Sequence, residues 1–515
     1  MKKISDWSAK ELAYQIVFPR LSITDYILNE EYRNRIMNLV KNGIGGFCIF
    51  GGNIENNIRV INELQINSEI PLLFAGDFEN GLPMRLSEGT EFPHSMALGK
   101  INTDYTAQTA QMIAIESKAI GVHWNLAPVV DVNNNPNNPV INIRSFGEDP
   151  ISVSAHTQAY IQATQNERVL ACAKHFPGHG NTATNSHLSL PVLDLTLEEL
   201  QQTELLPFIS AINSGVRSIM LGHLALPKID ETNLPASLSR KIVQDILRNF
   251  LNFDGIIISD ALEMSAITDN YSQTQVIHLS LQAGVNVLLM PENAESFIDE
   301  LTGVIGQNPD YRQHAIEAVE LITKSKRWCG LLPQYQKLDL PNDLFVRHPY
   351  KALKFADLSL KIIDDEQLIP IKDEPTVSVF ALLQTNKDFD KATKFVKMLG
   401  DAVDFNMDFA FLNEEILQEN IDEYKRLTED SDIVVFPIFV RARTYGNKVA
   451  LPSVFKYVMD ELSEGKKVIS VLFGSPYYSD EINCNTKILT YSDSYASMAS
   501  VVARLANRDL TWIDR

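Results

Sequence analysis

The groups best able to do chemistry cluster between residues 168 and 187, where Lys174, His175, His179 and His187 follow one short apolar run, Val169 to Ala173. A lysine and a histidine at the end of a buried strand put cations where core meets solvent, the junction at which α/β sheets build their sites. Beyond the Pro177-Gly178 break, His187 lies in a loop of small polar residues. Such a histidine gives or takes a proton near neutrality, which suits general acid–base work. Lys174, His175 and Arg144 supply donors for substrate oxygens, or His175 and His179 simply support the tight turn. A second centre is Asp260, which ends the run Phe253 to Ser259. A carboxylate held at a rigid strand end suits a nucleophile, because little freedom is lost in reaching the reacting atom. Its plainer role is an N-cap for a following helix. Zinc is disfavoured: Pro177, Gly178 and Gly180 forbid the helix that would bring His175 and His179 onto one face.

These residues must be brought together by elements, and the first half of the chain supplies a regular set. Eight apolar runs recur, at Gln15–Leu21, Gly45–Phe50, Pro71–Asp77, His123–Val130, Val169–His175, Ser218–His223, Phe253–Asp260 and Val285–Met290. Segments of helical periodicity, such as Tyr105–Ile120 and Leu200–Ser214, separate them. Continuous apolar strands alternating with helices imply a parallel sheet covered by helices. Eight units ending near residue 330 match a closed (β/α)8 barrel, with an open doubly wound sheet as the alternative. Asp77, Asp131, Lys174 with His175, His223 and Asp260 all stand at run ends, so a barrel would gather them at one mouth.

The expected organisation is a catalytic barrel over residues 1–332, a proline-punctuated linker over 333–356 and an α/β sandwich over 357–515. In the last part, strands are expected at Val377–Leu383, Ile433–Phe439, Lys467–Phe473 and Lys487–Tyr491, and helices at Phe389–Leu399, Glu414–Thr428, Val454–Leu462 and Ser494–Ala506. Arg441, Arg443 and Tyr445 form a basic-aromatic patch that could face the barrel mouth or pair on the surface.

A formal charge of -20 lacks the basic footprint of a nucleic-acid binder. Cys48, Cys172, Cys329 and Cys484 have neither metal-site nor disulfide-framework spacing. No apolar signal core follows Lys2 and Lys3, and no run is long enough to span a bilayer. A cytoplasmic protein without membrane or nucleic-acid partners is expected, with a homodimer left open.

Taken together, Lys174-His175-Phe176-Pro177-Gly178-His179-Gly180, Asn185-Ser186-His187, Asp77, Arg144-Ser145-Phe146 and Ile258-Ser259-Asp260-Ala261-Leu262-Glu263-Met264 resemble, in order, the signature of glycoside hydrolase family three, in its bacterial β-N-acetylglucosaminidase branch. The resemblance runs from about residue 10 to 330 and extends to the family's C-terminal α/β sandwich. It implies a retaining, exo-acting β-N-acetylglucosaminidase that needs no cofactor or metal. Its substrate would be a small carbohydrate or muropeptide carrying terminal β-linked N-acetylglucosamine, as in peptidoglycan recycling. In that pattern Asp260 is the nucleophile and His187 the acid–base, while Asp77, Arg144, Lys174, His175, Asn185, His223 and Met264 line the sugar. The pattern carries Asp two residues before the loop histidine, and here Asn185 stands there. Losing that anion lowers the histidine's pKa, making it a weaker base and, when charged, a stronger acid. Two alternatives stay open: altered sugar or acceptor, including β-glucosides and phosphorolysis, or a catalytically silent sugar-binding homologue.

Overall fold

The computed structural model describes residues 2–182, 190–339, 347–372, 375–414, 421–440 and 451–512. The first six parallel pairings follow from the apolar runs. Strands β1 (Val17–Phe18) and β2 (Arg20–Ser22) form one extended segment, followed by β3 (Gly46–Phe50), β4 (Leu73–Gly76), β5 (Trp124–Asn125), β6 (Leu170–Phe176), β7 (Ser218–Leu221), β8 (Ile256–Ser259) and β9 (Leu288–Leu289). From β2 to β8 each strand pairs in parallel with the next. The curl then closes. Ile258 bridges Val287, and β9 pairs with β1 in the register Val17 to Leu288 and Phe18 to Leu289. The result is an eight-stranded parallel barrel, so the closed alternative is the observed one.

Side chains alternate along each strand, so every second residue enters the barrel. Phe18 meets Trp124 edge-on across the interior at 5.7 Å, and the Trp124 indole N–H donates to Ser218 Oγ at 2.8 Å. Gly46 is required beneath Phe18, because a Cβ there would lie 1.9 Å from the Leu73 carbonyl oxygen. Helices cover the outside, among them Ile54–Ile66, Thr103–Ala119, Pro150–Asn166, Leu205–Asn213 and Gln273–Ala283. Their starts are written locally: Ser8 with Glu11, Thr196 with Glu199 and Ser272 with Gln275 make reciprocal capping boxes.

The chain divides into two compact units, and the division is not a single cut. The first comprises residues 1–90, 106–135 and 145–345; the second takes 346–515 together with 91–105 and 136–144. The second unit carries a six-stranded sheet of β10 (Lys361–Asp364), β11 (Val377–Leu383), β12 (Met407–Asn413), β13 (Ile433–Val440), β14 (Lys467–Gly474) and β15 (Thr486–Leu489), in the order β10-β15-β14-β13-β11-β12. All pairings are parallel except β10 with β15. Met96, Ala97 and Ile143, from the two inserted segments, share one of its cores with Phe380, Phe436 and Phe455. Residues 348–359, read from the sequence as mostly linker, form a helix in which Pro349 occupies the first turn, where no N–H is needed. Arg441, Arg443 and Tyr445 lie outside the described residues.

One buried cation stands apart from the mouth. Lys326, on the helix Pro309–Trp328, is fully buried and donates to Gln15 Oε1 at 3.1 Å. Burial pulls its pKa down to about 7. The unfolded chain therefore binds more protons than the folded one between pH 7 and about 10, and stability from this residue rises with pH across that window. Lys326→Met should raise the urea midpoint at pH 7 and remove about 3 kcal/mol of the wild type's gain between pH 7 and 10. Paired urea melts at the two pH values check this.

Candidate functional site

Asp77 directly follows β4, and it is the hub of a charge cluster. Lys174 Nζ lies 2.8 Å from Asp77 Oδ1 and 2.8 Å from Glu79 Oε1, and it is almost wholly buried. Arg85 Nη2 donates to Asp77 Oδ2 at 2.6 Å. Burial pushes the Asp77 carboxyl up, but Lys174 and Arg85 outweigh it and hold the group well below the usual carboxylate range. A buried ammonium without partners would cost several kcal/mol, so the two acids are what allow Lys174 to sit there charged.

The next strand end is organised by Asp131, fully buried beyond β5. Its carboxylate accepts from the His175 ring Nδ1 at 2.8 Å, from the His175 backbone N–H at 3.2 Å and from the His179 backbone N–H at 2.7 Å. One carboxylate thus shapes the turn after β6 and fixes the His175 ring with its Nδ1–H toward Asp131. The Lys174-His175 and Phe176-Pro177 peptides are both cis. Gly180 packs against the Val132 backbone so closely that a Cβ would lie 1.7 Å from its carbonyl oxygen. His179 turns its Nδ1 to Thr182 Oγ1 at 2.7 Å.

His223, beyond β7, is fully buried with both nitrogens engaged: Nδ1 with Ser237 Oγ at 2.7 Å and Nε2 with the Ala261 carbonyl at 3.1 Å. A carbonyl only accepts, so Nε2 carries the hydrogen and Nδ1 takes the serine's. Burial lowers its pKa despite the nearby Asp260 carboxylate, leaving it neutral at pH 7. The ring therefore steadies the Ala261–Leu262 peptide, one residue beyond Asp260.

Asp260 extends β8. Its N–H donates to the Leu221 carbonyl at 3.1 Å, and Oδ1 accepts from the Ala261 N–H at 2.8 Å. The next helix, Ser265–Thr268, has Met264 at its N-cap, so the capping role considered for Asp260 is not the one observed. Met264 is buried, with its N–H on the Ala261 carbonyl at 3.1 Å. The charges converge. The Cys172 thiol feels Lys174, Asp77 and Asp260, and His223 feels Asp260 and His175.

The strand-end residues Asp77, Lys174, His175, His223 and Asp260 thus come to one end of the barrel. Arg144 belongs to the second unit, where its Nη1 donates to the Val140 carbonyl at 3.1 Å. Asn185 and His187 lie outside the described residues. Glu79 and Arg85 went unread in the sequence, and Asp131 was seen only as a strand end. The acid repeated at Asp77 and Glu79 was the available signal.

With this geometry in view, the comparisons are decisive at family level. Residues 12–324 match the glycosyl hydrolase family 3 N-terminal domain. The chain belongs to this family. A beta-hexosaminidase A of Pseudoalteromonas piscicida is 31% identical over 372 residues, covering 65% of this chain and 62% of that protein. A beta-N-acetylglucosaminidase/beta-glucosidase of Cellulomonas fimi is 28% identical, covering 66% of this chain and 63% of that protein. The matched region thus spans less than two thirds of either relative. In fold, the chain is similar to a family 3 β-N-acetylglucosaminidase of Paenibacillus sp. str. FPU-7, with a TM-score of 0.84 at 22% identity over 98% of this chain and 97% of that one. It is also similar to a beta-glucoside phosphorylase, with a TM-score of 0.85 at 21% identity over 98% and 92%.

The charge cluster sets a pH signature. Asp77's lowered pKa makes its stabilisation complete above about pH 4, the unfolded value, and lost as pH falls through the folded value. Asp77→Asn should destabilise the protein by about 2 kcal/mol or more at pH 7, unchanged at pH 5 and shrinking only below about pH 4. Urea melts of both proteins from pH 7 to 3 read this directly.

Proposed function

We propose that the chain is a retaining, exo-acting β-N-acetylglucosaminidase that removes terminal β-linked N-acetylglucosamine from small carbohydrates or muropeptides in the cytoplasm. The reading is carried by Asp260: a half-buried carboxylate whose Oδ1 accepts from the Ala261 N–H and whose backbone N–H is held by the Leu221 carbonyl, in the same electrostatic field as Lys174 and Asp77. The names of the hexosaminidase and glucosaminidase relatives support the sugar.

In this mechanism Asp260 attacks the anomeric carbon as the bond to the leaving oxygen breaks, giving a covalent glycosyl-enzyme. His187 protonates that oxygen, then takes a proton from the water that resolves the intermediate. Two inversions retain the configuration. Asp77, kept ionised by Lys174 and Arg85, accepts from outer hydroxyls. Lys174 donates to ring oxygens and substituents, and His175, whose Nδ1–H is given to Asp131, offers Nε2 as an acceptor to a hydroxyl; their contribution to rate lies in contacts that tighten in the oxocarbenium-like transition state. His223 acts through the Ala261 carbonyl to keep Asp260 in place. Asn185, two residues before His187 in the sequence, brings a hydrogen-bonding group but no charge.

Nitrophenol release from the β-N-acetylglucosaminide tests this, with the β-glucoside alongside and phosphate present or absent. Asp260→Asn should lose at least about 10³-fold in kcat. Undiminished turnover in that variant would refute the assignment. Phosphate-dependent turnover would replace hydrolysis with phosphorolysis, and preference for the glucoside would replace the sugar. Asn185→Asp should raise the pKa of His187 and move the pH–rate profile to higher pH; an unmoved profile would remove the role given to Asn185.

A further inference from the structure

The inward face of β2 carries Arg20, one half of an ion pair with Glu263 to which no role has been given. Arg20 stands two residues beyond Phe18, the ring that meets Trp124 across the interior, so it enters the barrel one step nearer the mouth. Phe50 stands four residues beyond Gly46 on the neighbouring strand, on the face that Gly46 turns to Phe18. The Arg20 guanidinium lies over the Phe50 ring at 4.0 Å, and that of Arg85 over the same ring at 4.8 Å. Arg85 is in turn the partner of Asp77. The buried Cys48 thiol feels Asp77, Arg85, Arg20 and Lys174 together, which places Arg20 in the same field as the sugar-site charges.

Across the barrel's closure, Arg20 Nη2 pairs with Glu263 Oε1. Glu263 lies three residues beyond Asp260, and its backbone is pinned by its N–H to the Met290 carbonyl at 3.0 Å. Met290 donates to the Phe18 carbonyl at 2.8 Å. The pair is therefore built on the same closed seam that carries Asp260. Its side chains nonetheless stay 44% and 30% exposed, so a ligand can reach them. An exposed ion pair of this kind adds little to folding stability. Its geometry suits ligand recognition instead. A guanidinium presents only donors and a carboxylate only acceptors, so together they bracket a hydroxyl, which needs one of each.

We infer that Arg20 and Glu263 form a hydroxyl-recognising pair of the sugar site, the guanidinium donating to a ring-hydroxyl oxygen and the carboxylate accepting a hydroxyl proton. This rests on the glycosidase reading. The ligand class is a neutral polyhydroxylated ring, because the pair is charge-balanced and offers no net field to an anion. Phe50 keeps the guanidinium flat, so its donor edge is preorganised.

The test compares wild type with Arg20→Met, Arg20→Lys and Glu263→Gln. It measures kcat/KM on nitrophenyl β-N-acetylglucosaminide and on its 4-deoxy and 6-deoxy forms, with calorimetric binding of N-acetylglucosamine alongside. Arg20→Met should keep its thermal midpoint and lose about 10- to 100-fold on the full sugar. It should lose little on the one deoxy sugar that lacks the contacted hydroxyl. Arg20→Lys should recover only part, since an ammonium lacks the planar fork. Equal losses on all three sugars, or none, would overturn the pairing alone. Wild type that neither binds nor cleaves any of them would overturn the pairing and the glycosidase reading together.

Discussion

The structure depends on one closure: two residues at the start of the chain, Val17 and Phe18, pairing in parallel with Leu288 and Leu289. Without it the parallel sheet would be an open ribbon, and its strand ends would fan apart. With it, carboxylates and cations as far as 243 positions apart in sequence must share one mouth. The same seam fixes the turn after Asp260, because Leu262 and Glu263 hydrogen-bond to Leu289 and Met290. Barrel closure and placement of the carboxylate proposed as nucleophile are therefore one structural event.

Electrostatics then decides what the mouth can bind. Lys174 is shared between Asp77 and Glu79, Arg85 is given to Asp77, and Arg20 to Glu263. Each cation meets an acid. Pairing lets charges remain buried without shifting to their neutral forms. It also yields a surface of alternating donors and acceptors, which is what a ring of hydroxyls requires. His175 and His223 add rigidity: one ring is held by Asp131, and the other holds the Ala261 carbonyl.

Much of this was legible in the sequence, for a physical reason. A buried parallel strand is a continuous apolar run, so its abrupt end at Asp77, Lys174 or Asp260 stands out, and five such polar ends among eight runs imply convergence. Arg20 gave no such signal. It sits within a strand, and its partner is 243 positions away, so its meaning exists only once the barrel closes. Glu79 and Arg85 likewise gain significance from Lys174 and Asp77 rather than from their own neighbours. The reach of the second unit was hidden too. Met96, Ala97 and Ile143 belong to its core, yet in the sequence they stand between barrel strands, in helical turns of three or four residues too short to show a period of their own. Strand β12 was missed because it is the edge of its sheet, with Asp408 and an exposed Phe409 breaking the apolar run.

The claim that matters most is that Asp260 forms a covalent bond to the sugar. The direct measurement is mass spectrometry of the protein incubated with the 5-fluoro β-fluoride of N-acetylglucosamine, whose ring fluorine slows breakdown of a glycosyl-enzyme. The account predicts one sugar adduct per chain, carried by the peptide that contains Asp260. An adduct on another residue, or steady turnover of the reagent without any adduct, would contradict it.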